Sequence, residues 1–172
     1  MRILGVDPGL ISTGYGIVQT VGTACKLIEA GVIRTDDKQP LPLRILRIHE
    51  ELRQVLVEFS PDAMAVEDLY THYSHPATAT LMGHARGVVL LAAAQAGIDV
   101  VSYSPTRIKK AITGSGKAAK LQVQNMVQVM LGLSKAAQPD HLTDALAAAI
   151  CHANAVSRSD LLRRLPSKST SV

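Results

Sequence analysis

Three acids stand where apolar segments begin or end. Asp7 closes the run Ile3-Leu4-Gly5-Val6, Glu67 closes Ala63-Met64-Ala65-Val66, and Asp144 lies in Pro139-Asp140-His141-Leu142-Thr143-Asp144, ahead of an alanine-rich stretch. On a helix, His141 and Asp144 are three residues apart and Asp140 and Asp144 four, so these side chains share one face. Carboxylates gathered within a few ångströms raise one another's pKa unless a cation lies between them. Hard oxygen donors suit Mg²⁺ or Mn²⁺, and one imidazole among them makes Mn²⁺ more acceptable. A zinc hydrolase is disfavoured, because the chain has neither HExxH nor a Cys/His cluster, and Cys25 and Cys151 are far apart and read as small core hydrophobes. Taken singly, each acid has a plainer role: Asp7 before Pro8-Gly9 as a turn former, Glu67 as an exposed strand end, Asp140 as a helix cap, Asp144 as a first-turn acid. Those roles leave unexplained why three apolar elements all deliver acids at edges that one sheet would bring together.

The elements that must position these residues can be read from apolar patterning. Ile3 to Val6 reads as a buried strand, Gly14 to Val18 as its antiparallel partner across a turn, and Lys26 to Arg34 as a third strand. After Pro40 and Pro42 an amphipathic helix is expected, with Leu43, Leu46, Leu52, Leu56 and Phe59 as its apolar positions, ended by Ser60-Pro61-Asp62. Ala63 to Val66 reads as a strand buried on both faces, Ala77 to Ala96 as a long helix closed by Gly97, and Val100 to Tyr103 as a last strand. Helices are expected from about Thr106 to Ile112, Ala118 to Leu131 and His141 to Ala155. This order favours a mixed α/β sheet covered by helices. If the strands ending at Asp7 and Glu67 are parallel neighbours, both carboxylates emerge at the rim where open α/β sheets place ligands.

The 172 residues, 47% apolar, suffice for one core. The expected organisation is a domain over 1–156 and a basic, flexible tail over 157–172. No apolar run is long enough to span a membrane and no signal-peptide layout opens the chain, so a cytoplasmic protein is expected. The net charge of +4 is segregated. Arg107, Lys109, Lys110, Lys117 and Lys120 form one zone without acids, and Arg158, Arg163, Arg164 and Lys168 against Asp160 form a second, leaving the rest net acidic. Such a layout suits metal ions held in one place with phosphates beside them. Tyr70 and Tyr73 follow Glu67 in a polar stretch, where a ring can wedge against unstacked bases or pack on the next helix. His72 and His75 in that stretch read as surface residues.

The ordered set Ile3-Leu4-Gly5-Val6-Asp7-Pro8-Gly9, Thr13-Gly14-Tyr15-Gly16, Ala65-Val66-Glu67, Ala85-Arg86-Gly87, Gln122-Val123-Gln124 and Asp144-Ala145-Leu146-Ala147 resembles the RuvC family of Holliday-junction resolvases over residues 1 to about 155. The resemblance implies a ribonuclease H-like fold with a five-stranded mixed sheet and helices on both faces. It also implies a homodimer, Mg²⁺ dependence, paired symmetric nicks in four-way DNA junctions, and a role in recombinational repair beside the RuvA and RuvB branch-migration proteins. Where many relatives carry Asp three residues before the final helix acid, this chain has His141, so the resemblance makes His141 the fourth ligand with Asp7, Glu67 and Asp144, and Asp140 a substitute or supporting one. By analogy with ribonuclease H-like enzymes, Asp7 bridges two metals, Asp144 and His141 complete the nucleophile side, and Glu67 the leaving-group side. Lys109 and Lys120 match basic positions of the family, Arg107, Lys110 and Lys117 assist them, and Tyr70 matches an aromatic position at the junction.

Other readings share some of these residues. Asp7-Pro8-Gly9 with Thr13-Gly14 also resembles the phosphate hairpin of actin-like ATPases, although those bind nucleotide between two such domains. A non-catalytic junction-binding module and a ribonuclease H-like enzyme acting on RNA are the remaining alternatives.

Overall fold

The computed structural model describes residues 1–68, 76–134 and 139–164. Five strands form one sheet: β1 (Arg2–Asp7), β2 (Ser12–Val21), β3 (Ala24–Arg34), β4 (Ala63–Glu67) and β5 (Val100–Tyr103). Their spatial order is β3-β2-β1-β4-β5. The first three strands make an antiparallel meander, and β4 and β5 continue it in parallel with β1. Both parallel steps need crossovers, supplied by α1 (Leu41–Phe59) and α2 (Pro76–Gln95). Helices α3 (Pro105–Thr113), α4 (Lys120–Leu131) and α5 (Asp140–Arg164) follow.

Period-two alternation divides the core between the two faces of the sheet. Leu4, Val6, Ile17, Met64 and Val66 pack with Ile48 and Leu52 of α1 and Val89 and Ala93 of α2. Ile3, Val18, Ala65 and Tyr103 face Ile108 and Ile112 of α3, Val123 and Val127 of α4, and Leu146 to Ile150 of α5. The expected mixed sheet with helices on both faces is therefore the observed one.

Two elements depart from expectation. On α1 the buried positions are Arg44, Ile48, Leu52, Val55 and Leu56, while Leu43 and Leu46 are about half exposed. The inward turn of Arg44 explains this: its Nε donates to Thr35 Oγ1 at 3.0 Å and its Nη2 to the Leu10 carbonyl at 3.1 Å. A cation with both bonds satisfied replaces a leucine at the mouth of the core, which apolar counting does not anticipate. Helix α5 continues past the expected end near Ala155 to Arg164. Ser157 to Arg164 contains no proline or glycine, and Pro166 is the first helix breaker beyond it. Residues 165–172 lie outside the described residues.

Candidate active site

The register of β1 and β4 places the first two acids. Ile3 pairs with Ala63 and Val6 with Val66 in parallel, so Asp7 and Glu67 sit side by side where both strands end. Asp7 follows Ile3 and Gly5 in the pleat, and Glu67 follows Ala65, so both side chains are on the α5 side of the sheet. Helix α5 approaches unusually closely there. A Cβ at Gly5 would overlap the Ala145 carbonyl oxygen, and one at Gly14, which pairs with Asp7, would overlap the carbonyl oxygen of His141. Glycine in the strands and alanine on the helix thus bring the first turns of α5 onto the strand end.

His141 Nδ1 lies 2.6 Å from Asp7 Oδ2. An imidazole that donates from Nδ1 to this carboxylate leaves Nε2 for another partner. The bond to Asp7 raises the His141 pKa, against the opposing effect of burial. Lys120, the first residue of α4, reaches Asp140 at 3.1 Å and Asp144 at 3.4 Å. Burial pulls its ammonium down, but these two carboxylates outweigh it and the net shift is upward. Asp140 is exposed, accepts a hydrogen bond from Gln124 Nε2 at 2.8 Å, and is held below its usual range by the bond to Lys120.

Glu67 carries the largest electrostatic signature. Burial, then the charges of Asp7 and Asp144, push its carboxyl up to about 7, with Lys109 and Lys120 opposing. Burial also raises Asp144, Lys120 counteracts it, and Asp7 adds to the rise. The influence of Asp7 and Asp144 on Glu67, and of Asp7 on Asp144, places the three acids in one electrostatic neighbourhood. Glu67, Asp144, Lys109 and Lys120 line a common cleft of about 230 Å³ with Pro105 and Ile108. Among the described residues no group of three or more His, Cys, Asp or Glu side chains stands close enough together to hold a metal ion as they are placed. Lys120, and His141 when protonated, supply positive charge at an open acidic rim. Half-buried carboxylates, two of them with raised pKa values, supply hard oxygen atoms beside one imidazole and fit a divalent cation by donor type and charge.

Lys109 and Lys120 therefore both belong to the acid cleft. Arg107 lies on a different face of α3, with its guanidinium 4.8 Å from the centre of the Tyr103 ring. Lys117 is exposed in the turn before α4. Tyr70 and Tyr73 fall outside the described residues. Arg86, of the motif Ala85-Arg86-Gly87, sits beside Glu67. From α2 its Nη1 donates to the Glu67 carbonyl oxygen at 2.6 Å, and its Nη2 donates to Asp68 Oδ1 at 3.0 Å and to Ser102 Oγ at 2.5 Å. One mostly buried guanidinium thereby ties α2, the end of β4 and β5 together. The sequence signal for it was the isolated cation in an otherwise apolar helix.

The sequence profile of the family described as crossover junction endodeoxyribonuclease RuvC matches residues 3–152. A protein of that description from Rhodopirellula baltica is 47% identical over 149 residues, covering 87% of this chain and 84% of the relative. A Thermus thermophilus RuvC structure superposes with a TM-score of 0.86 at 38% identity, covering 92% of this chain and 97% of the other. T. thermophilus RuvC in complex with a Holliday junction substrate gives a TM-score of 0.88 at 39% identity, covering 92% and 96%.

Proposed function

Because the chain belongs to the RuvC family of crossover junction endodeoxyribonucleases, we propose that its acidic rim hydrolyses phosphodiesters at the centre of four-way DNA junctions, in paired symmetric nicks. The observation that carries this is the convergence of Asp7, Glu67 and Asp144, expressed in the rise of Glu67 to about 7. Asp7, Glu67, His141 and Asp144 would hold divalent cations, Mg²⁺ or Mn²⁺ and two per site. When bound, such ions supply an activated water and charge stabilisation for the departing 3′-oxygen. Asp140 has a supporting role through its hold on Lys120. Lys109 and Lys120, on the cleft wall, neutralise the phosphate that enters, and Arg107 and Lys117 extend the basic surface along the DNA. Tyr70 is proposed to stack on an unpaired base at the junction centre.

A four-way junction presents two equivalent strands, so a two-fold symmetric homodimer matches its substrate. The exposed Leu81, Leu90 and Leu91 on α2 supply apolar surface for such pairing. By family relationship, RuvA and RuvB are the proposed partners in recombination and repair. Among the described residues no helix is long and apolar enough to cross a membrane, and a cytoplasmic site is proposed.

The test is incubation of a synthetic four-way junction, and of a linear duplex of the same sequence, with protein and Mg²⁺ or Mn²⁺. Symmetric nicks in the junction alone are expected. Equal nicking of the duplex, or no metal-dependent nicking of either, would overturn the reading.

A further inference from the structure

The basic residues of α3 divide between two faces. Lys109 enters the acid cleft, whereas Arg107 and Lys110, three apart, share another face. That face meets α5 across a separate open cleft of about 650 Å³, lined by Arg107, Lys110, Asn154 and Arg158 over a floor of Ala111 and Cys151. Asn154 and Arg158 are four apart on α5 and so project together from it. None of the ion pairs among the described residues involves Arg107, Lys110 or Arg158, and none of the acids that form the rim lines this cleft.

Arg107 is held in place from below. Its guanidinium lies over Tyr103, whose hydroxyl is 2.8 Å from His152 Nδ1. Burial lowers the His152 pKa, so this support is neutral and does not compete for an anion. A cation stacked on a fixed ring has less freedom to lose when it binds than one extended into water.

We propose that this cleft is a second phosphate-binding site, which holds the backbone of a junction arm as it leaves the acidic rim. The inference rests on the junction-cutting reading for the identity of the DNA, but the cleft's charge and support stand without it. Three exposed cations around an open cleft suit a continuous polyanion better than an enclosed small ligand. Backbone phosphates can lie against Arg107, Lys110 and Arg158 in turn, and Asn154, whose Nδ2 donates one N–H to the Ala111 carbonyl at 3.5 Å, keeps a second as a neutral donor between them. Such a site adds affinity without reading sequence, and fixes the direction of one arm relative to the scissile phosphate.

The experiment measures binding in EDTA, so that DNA stays intact, across a range of salt concentrations. The proteins are wild type, the exposed-side-chain double variant Lys110→Ala/Arg158→Ala, and each single variant, with thermal unfolding recorded for all. On junctions with long arms, the double variant is expected to bind on the order of tenfold more weakly, with the slope of log affinity against log salt reduced by about 2. Each single variant should account for about half of that reduction. The loss should vanish when the arms are cut back to a few base pairs. Equal affinity and slope for wild type and folded variants would overturn the proposal, as would an equal loss on short and long arms. Inorganic phosphate provides the other arm of the test. If it raises the wild-type Tm, the variants lose that rise and their DNA slopes are unchanged, the cleft takes a small anion and not DNA. Failure of wild type to prefer junction over duplex would sink the junction reading, whereas the slope change on a long linear duplex would still decide the cleft.

Discussion

Glu67→Gln in metal-free protein isolates the electrostatic cost of the rim. In the fold the Glu67 carboxyl is raised from an ordinary 4.5 to about 7, first by burial and then by Asp7 and Asp144. A raised acid binds its proton more tightly folded than unfolded, so the unfolded state holds fewer protons between those two values and stability falls as pH rises. At about 1.4 kcal/mol per tenfold change in ionisation, the ionised carboxylate costs the fold about 3 kcal/mol once pH passes 7. Glutamine keeps the shape and cannot ionise. Urea unfolding in EDTA should therefore give nearly equal stabilities for wild type and variant near about pH 4, and a variant more stable by about 3 kcal/mol near about pH 8. Other titrating groups occur in both proteins and largely cancel in the difference. Mn²⁺ added at the higher pH should stabilise wild type more than the variant, because the cation relieves repulsion that glutamine lacks. A stability difference that is the same at both pH values would refute the claim that Glu67 is buried among other acids.

Further predictions concern the residues that position or balance these acids. Arg86→Ala removes charged bonds to the Glu67 carbonyl, Asp68 and Ser102; it should cost about 1.5–3 kcal/mol in thermal unfolding and lower kcat more than it changes KM. Gly14→Ala drives a methyl group into the His141 carbonyl, so a loss of about 1–3 kcal/mol and a fall in cleavage are expected. Lys120→Met removes a charge that lowers both Glu67 and Asp144, so the rise of cleavage rate with pH should move to higher pH, which a pH profile at saturating DNA would detect.

The acids were legible because strand patterning carries their position: a four-residue apolar run followed by a carboxylate fixes both the strand end and, through the pleat, its face. The parallel pairing of β1 with β4 entered the sequence reading only as a condition, and the observed register supplies it. The close seating of α5 was harder to read. Gly5 and Gly14 are ordinary turn and strand residues until the helix backbone that excludes their Cβ is placed against them. Arg44 could not be read from the sequence and Arg86 only as an isolated cation in an apolar helix, since both are made compatible with burial by carbonyl and hydroxyl partners distant in sequence. The single basic zone read from 107–120 likewise conceals a division that only helix geometry reveals, with Lys109 and Lys120 beside the acids and Arg107 and Lys110 facing Arg158.

The central claim is that the rim acids act together as a divalent-cation site. Calorimetric titration of Mn²⁺ into wild type and Asp7→Asn tests it most directly, since asparagine preserves size and removes the charge that β1 delivers to the rim. The account predicts saturable binding to wild type and a loss of at least about tenfold in affinity for a variant that remains folded. Equal Mn²⁺ affinity in the two proteins would contradict it.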